Sequence, residues 1–112
     1  MGSQEEHDYL VERLYDNLED LDSLEYDFLF KEVEYGVGGV NPAGECDVLV
    51  VKDDLWLYLE VKSSESCFGK GRKQVSRFES FYGDVVKAEG RVVVGDDVFD
   101  DDLYEWVREV VN

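Results

Sequence analysis

The stretch GECDVLVVKDDLWLYLEVKSS, residues 44–64, decides the fold. Two apolar runs flank Asp53-Asp54, and the pattern reads as a β-hairpin with strands at 46–52 and 55–62. With a two-residue tip, 52 faces 55 and 50 faces 57, so Asp47 lands opposite Glu60 and Glu45 opposite Lys62. A four-residue tip keeps this register; a three-residue tip breaks it. Side chains alternate between faces. Cys46, Val48, Val50, Leu55, Leu57, Leu59 and Val61 share one wholly apolar face. Asp47, Leu49, Val51, Trp56, Tyr58, Glu60 and Lys62 share the other, which is apolar towards the tip and charged at the open end. Two carboxylates therefore meet at roughly 5 Å between Cβ atoms, with the Lys62 amine about 7–8 Å away on the diagonal.

Like charges placed directly opposite each other destabilise a sheet. A divalent cation between them removes that penalty, and carboxylates with a backbone carbonyl and waters are the donors that Mg²⁺ prefers. Lys62, one pleat on, is placed to hold an attacking water or to stabilise charge on a phosphate. A solvated ion-pair ladder at the sheet's end is the other reading of the same geometry. The spacing alone leaves both open.

Working outwards, Leu10, Leu14, Leu18 and Leu21 recur at helical spacing over 4–22, with a capping box expected at Ser3 and Glu6. YDFLFKEVEY at 26–35 reads as a strand with Phe28, Phe30 and Val33 inward, followed by a Gly-rich loop at 36–44. A helix is expected at 70–82, with Gln74, Phe78 and Phe81 on one stripe, then a short buried strand at 91–95. The last helix, at 100–111, places Leu103, Trp106, Val107 and Val110 inward behind an acidic start at Asp100 to Asp102. The order is α-β-β-β-α-β-α. Three strands form a meander, and a right-handed crossover brings the fourth in parallel. The fold class is α/β: a mixed sheet with helices on both faces, in three layers.

The 112 residues, 44% hydrophobic and 13% aromatic, suit one domain, 1–112, with a modest core. No apolar run is long enough for a bilayer and no signal peptide is evident, so a cytoplasmic protein is expected. Cys46 and Cys67 form no CxxC pair and find no zinc spacing with the single His7; they read as reduced thiols. The formal net charge is −17, from 28 acids against 11 Lys and Arg. A high-salt cytoplasm, a basic protein partner and imitation of nucleic acid all produce such a balance. The acids are spread along the chain, which favours the first. One window departs from the rest: Lys62, Lys70, Arg72, Lys73 and Arg77 have Glu65 as the only acid among them. It reads as a phosphate-docking strip or as a solvated helix face.

Gly44-Glu45-x-Asp47, followed by Glu60-x-Lys62 after an apolar strand, resembles the signature of the PD-(D/E)XK nuclease superfamily. Two small groups within it are most similar: archaeal Holliday-junction resolvases, with an Asp and a Glu-Val-Lys-Ser at similar spacing, and YraN-like proteins. The latter carry Gly-Glu-x-Asp, Glu-Val-Lys, Phe-Gly and Lys-Gln; here Phe68-Gly69 and Lys73-Gln74 follow in that order. The core order α-β-β-β-α-β is also the superfamily's, in a restriction-endonuclease-like arrangement.

The resemblance implies a Mg²⁺- or Mn²⁺-dependent nuclease acting on DNA, structure-specific in the manner of a Holliday-junction resolvase. It implies Asp47 and Glu60 as metal ligands with the Val61 carbonyl, Lys62 as the catalytic lysine and Gln74 as an accessory residue. Lys70, Arg72, Lys73 and Arg77 then contact nucleic acid, and symmetric cutting of two strands calls for a homodimer. These families also draw an acid from the first helix. Glu12-Arg13 resembles the resolvase pair, yet Glu12 points away from the leucine stripe, whereas His7 falls on it and Glu6 flanks it; the choice is open. From its own position His7 reads as a core-edge histidine, and Trp56 and Tyr58 as core under a helix. Val40-Asn41-Pro42 shows no basic residue of the kind a resolvase uses on DNA. The alternative function is a catalytically silent nuclease-fold module whose acidic surface docks a basic protein.

Overall fold

The computed structural model describes residues 3–35 and 44–112. Helix α1 spans Ser3–Glu19, strand β1 Phe28–Tyr35, β2 Gly44–Lys52 and β3 Leu55–Lys62. A 3₁₀ turn at Glu65–Cys67 leads into α2, Phe68–Tyr82; β4 spans Lys87–Val94 and α3 Asp101–Val111, after a second 3₁₀ turn. The sheet runs β1-β2-β3-β4, with β1, β2 and β3 antiparallel and β4 parallel to β3. The element order and the mixed sheet are those expected from the sequence. The Gly-rich stretch up to residue 43, with Val40-Asn41-Pro42, lies outside the described residues, as does the Ser3 side chain of the expected capping box. Among the described residues no helix is long and apolar enough to cross a membrane.

Two cores sandwich the sheet. On one face α1 and α3 bring Leu10, Leu14, Leu18, Leu103 and Val107 onto Val48, Val50, Leu57, Leu59 and Val61. Both helices bury a stripe at three- and four-residue spacing, which burial against the sheet stabilises far more than helix propensity does. The N-cap Asp100 accepts a hydrogen bond from the Asp102 amide at 3.0 Å and so satisfies one of the orphan donors of α3. On the other face α2 lays Val75 and Phe78 over Leu49, Val51, Tyr58 and Val92. Tyr35, Phe78, Phe81 and Tyr82 interlock there, with ring centroids 4.7–5.5 Å apart.

Two glycines set how closely α2 approaches the sheet. A Cβ on Gly71 of α2 would lie 2.8 Å from Val92 Cγ1 of β4, and one on Gly90 of β4 would lie 2.5 Å from Val75 Cγ1 of α2. Each element takes a valine of the other into the space of a missing side chain.

Several boundaries and faces differ from the expectation. Helix α1 ends at Glu19 rather than 22, although Leu21 still packs against the core. Strand β4 begins at Lys87 rather than 91, because parallel pairing with β3 runs from Leu55↔Lys87 to Lys62↔Val94 and recruits the polar segment Lys87–Gly90. Phe28 and Phe30 are not inward: they are 57% and 42% exposed and stack on each other at 5.8 Å. Strand β1 is an edge strand, and Leu29, not its phenylalanine neighbours, packs on the α1 and α3 side. Cys46 belongs to the α2-side core instead of sharing a face with Val48.

Candidate active site in the parted hairpin

The hairpin has the expected register. Pairing runs from Lys52↔Leu55 at the tip to Val48↔Leu59, with Asp53 at φ +52 in the turn. Asp47 and Glu60 come next in that register, and there the β2–β3 ladder ends. The Val61 amide donates to Asp47 Oδ2 at 2.8 Å in place of a cross-strand carbonyl. Strand β2 stays paired with β1 through Val33↔Cys46, Glu34↔Glu45 and Tyr35↔Gly44, and β3 stays paired with β4 through Lys62↔Val94. The two central strands thus part while each holds its outer neighbour.

The parting coincides with a break in alternation. Glu32, which faces Asp47 by register, is missing from the β1–β2 pairs and sits at φ +54, a left-handed conformation that costs a non-glycine residue about 1 kcal/mol or more. Beyond it the chain returns with its faces exchanged, which places Cys46 against the α2 core. Local irregularities of this kind re-aim side chains. The cross-strand pairing expected between Glu45 and Lys62 does not form: Glu45 pairs with Glu34, and Lys62 reaches back along its own strand.

Asp47 and Glu60 are the buried charged residues of the described chain, 6% and 2% exposed. Glu60 Oε1 accepts from the Tyr58 hydroxyl, and Oε2 pairs with Lys62 Nζ at 3.0 Å. The Tyr58 hydroxyl also lies 3.1 Å from the Glu45 carbonyl oxygen. From α1, His7 Nε2 approaches Asp47 Oδ2 at 3.3 Å. The two carboxylates are therefore met by an imidazole and an amine, one from each side. Burial, then the charge of Asp47, pushes the Glu60 carboxyl up to about 7, against the pull of Tyr58 and Lys62. The bond to Asp47 holds the His7 imidazolium up to about 9, well above its usual 6.5, against the opposing effect of burial. Burial, then Glu60, pushes the Cys46 thiol up to about 12, so it is a neutral core group and not a nucleophile.

These groups line a cleft of about 440 Å³ bounded by Gln4, His7, Glu45, Asp47, Glu60, Lys62 and Gln74. It adjoins a groove of about 270 Å³ formed by Lys62, Lys70, Lys73, Gln74 and Arg77, so Lys62 and Gln74 belong to both. Gln74 Oε1 is buried with no hydrogen-bond partner among the described residues. Positions 70, 73, 74 and 77 share one face of α2 by helical period. Arg72, expected with them, is exposed but does not line the groove, since two residues from Lys70 it turns to another side of the helix. Glu12 lies outside the site, in an ion pair with Lys31 of β1, and Glu6 lines a neighbouring cleft. Of the three α1 candidates it is His7 that reaches the acids. Tyr58, read only as core, also holds Glu60; its one signal in the sequence is its place one pleat before that residue on the same face.

Among the described residues no three His, Cys, Asp or Glu side chains lie close enough together to hold an ion by themselves. A hard cation such as Mg²⁺ keeps several waters and needs only one or two carboxylates. Asp47 Oδ1 has no hydrogen-bond partner among the described residues, while both of this residue's contacts are taken by Oδ2. Two buried carboxylates, one with an open oxygen, fit such an ion. A larger cleft, of about 730 Å³, lies by Asn17 and Tyr104, but the Asn17 amide already donates to Tyr104 Oη at 2.9 Å and to the Val98 carbonyl at 3.3 Å.

No model of a known protein family matches the chain, and no curated protein matches it. Among solved structures, the small subunit of the heterodimeric restriction endonuclease R.BspD6I is similar, at 14% identity and a TM-score of 0.49. The match takes in 81% of this chain and 59% of that subunit, so the chain spans about three-fifths of the neighbour's length.

Proposed function

We propose that the chain is a divalent-metal-dependent nuclease that hydrolyses phosphodiester bonds in DNA. The observation that carries this reading is the parted hairpin: two buried carboxylates, Asp47 and Glu60, with Lys62 3.0 Å from Glu60, at the floor of a cleft that opens onto a basic groove. The likeness of Gly44-Glu45-x-Asp47 and Glu60-x-Lys62 to the PD-(D/E)XK signature supports the same assignment.

Asp47 and Glu60, with the Val61 carbonyl, are the groups that would hold Mg²⁺ or Mn²⁺. Such an ion, when bound, supplies a Lewis acid for the phosphoryl oxygen and lowers the pKa of a coordinated water. The chain's own residues do the rest. Lys62 brings a positive charge to the phosphate as negative charge builds on it. Tyr58 fixes one oxygen of Glu60 and so its orientation. His7 does the same for Asp47 from α1. Gln74, at the junction of cleft and groove, serves as an accessory polar group, and Lys70, Lys73 and Arg77 hold the nucleic-acid backbone.

The test is cleavage of labelled four-way junction, duplex and single-stranded DNA with Mg²⁺ or Mn²⁺, at low and high KCl, beside Lys62→Ala and Glu60→Gln. Metal-dependent cutting that falls at least about 100-fold in both variants is expected, the scale of removing one group that stabilises transition-state charge. No cutting by the folded protein under any condition would transfer the assignment to a silent nuclease-fold binding module. Cutting of the junction in two symmetric strands would further call for a two-copy assembly.

A further inference from the structure

The four cations of α2 stand apart from the rest of the chain. In a protein with 28 carboxylates and 11 Lys and Arg, acids are never far. Lys31, Lys52, Lys62 and Lys87 each pair with one. Arg91 stacks over the Trp106 ring instead, and Arg13 and Arg108, also outside any ion pair, are half-buried in the wall of the cleft by Asn17 and Tyr104. Among the described residues Lys70, Arg72, Lys73 and Arg77 enter no ion pair, and all four are exposed. Three of them, with Lys62, make the groove.

A neighbouring cleft carries the other sign. Glu6, Glu65, Asp96 and Asp97 line a cleft of about 420 Å³ that begins at Ser63, the residue after Lys62. Glu45, on the wall of the acidic cleft, pairs in the sheet with Glu34. Among the described residues the cations that are both exposed and outside any ion pair all lie on α2, and three of them form one narrow track. From Lys70 to Arg77 that track is about 10 Å long at 1.5 Å per residue. It accommodates roughly three phosphates at the ~3.4 Å spacing of a stacked strand.

We infer that the ligand of this track is a single strand of DNA, laid along α2 with its phosphates on Lys70, Lys73 and Arg77 and leading to the phosphate at Lys62. The inference rests on the nuclease reading above and narrows its substrate. A duplex presents a second line of phosphates beside the first, and the neighbouring cleft with Glu6, Glu65 and Asp96 offers it carboxylates in place of cations. A single strand does not. The orphaned Gln74 Oε1 points the same way. It needs an N–H donor, and a phosphate diester offers only acceptors. Unpaired bases have free amino and imino groups on their Watson–Crick edges, which pairing consumes in a duplex.

The experiment is fluorescence anisotropy with a labelled single strand and the matching duplex, in EDTA so that nothing is cut, over a range of KCl. The single strand is expected to bind about tenfold more tightly than the duplex. Its log–log salt slope should be about −2 to −3, three or four contacts at about −0.7 each. Lys73→Glu and, separately, Arg77→Glu should each weaken single-strand binding by about tenfold. Glu65→Lys with Asp96→Lys, in the acidic cleft, should raise duplex affinity and leave single-strand affinity within about twofold. Equal or tighter binding of duplex by the unmodified protein, or full single-strand binding by both charge reversals, would overturn the inference. Cutting assayed in parallel separates the two readings. Single-strand binding with no metal-dependent cutting keeps this inference and removes the nuclease. Cutting with a duplex preference keeps the nuclease and removes this inference.

Discussion

The two ends of one hairpin obey different rules. Near the tip, Val50↔Leu57 and Val51↔Trp56 sit in a regular ladder and bury their side chains in cores on both faces. At the open end, four residues along the same strands, the ladder stops, a carboxylate takes a backbone amide, and two acids are held nearly without solvent. Nothing in backbone hydrogen bonding demands that end; regular pairing could have continued to Glu45 and Lys62. The sheet tolerates the opening because β1 and β4 keep the outer edges of both strands paired. The tip makes the hairpin stable, and that stability holds open a place where two like charges meet.

Breaking the tip is expected to produce the largest change. Leu57 is fully buried, and Leu57→Ala should cost about 2–5 kcal/mol in urea unfolding, with the activity per folded molecule retained. A large loss of activity at unchanged stability would show that the two ends are not separable.

Next in size is the pH response of the open end. In the fold the Glu60 carboxyl sits at about 7 against an ordinary 4.5, so the folded state keeps a proton that the unfolded chain has lost. Stability must then fall as pH rises from 4.5 towards 7, by at most about 1.4 kcal/mol per pH unit. His7 sits at about 9 against 6.5. Its contribution is fully present below 6.5 and is lost as pH rises through 9. Both effects slope the same way. Bound Mg²⁺ requires the deprotonated acids, so its stabilising effect should grow with pH over this window. Thermal melts in EDTA and in Mg²⁺ from about pH 5 to about pH 9 check this. Glu60→Gln should flatten the lower limb and remove the Mg²⁺ response. A Mg²⁺ shift as large at the acid end as at the alkaline end would contradict the account.

The smallest effect is expected outside the hairpin. Phe30→Ser, on the exposed face of β1, should change stability by no more than about 0.5 kcal/mol, since the ring is 42% exposed and rests chiefly on Phe28. A larger loss in a urea melt would mean that the edge strand does more to hold β2 than its packing indicates.

Much of this was legible from residue pattern. The two-residue tip alone placed Asp47 next to Glu60, because register follows from the turn. The stripes of α1 and α3 identified their buried faces, since helical period and burial coincide there. What escaped was whatever depends on a neighbour. Strict alternation put Cys46 with Val48, and nothing in the β2 sequence announces the exchange of faces that accompanies the left-handed Glu32 on the adjoining strand. Phe28 and Phe30 read as inward because nothing in their own segment reveals that β1 lies at the edge. Lys87–Gly90 has no strand-like composition; its conformation is imposed by pairing with β3. The approach of His7 to Asp47 spans 40 residues and is a fact of packing.

Gly71 and Gly90 hold a further consequence. Their missing side chains let α2 and β4 exchange valines, and α2 is the element that carries Lys70, Lys73 and Arg77. Under the proposed function, the gauge between gripping and cutting is a pair of absent methyl groups. A methyl added by Gly90→Ala would lie 2.5 Å from Val75 Cγ1, so Val75 or the helix that carries it must shift, while no charge changes. On that reading, where a strand is cut relative to where it is held becomes adjustable through residues that carry no charge. Mapping the cut position on an end-labelled strand for Gly90→Ala against the parent would register the change as a displaced or blurred cleavage site; an unmoved, equally sharp site would show that the helix absorbs the methyl without sliding.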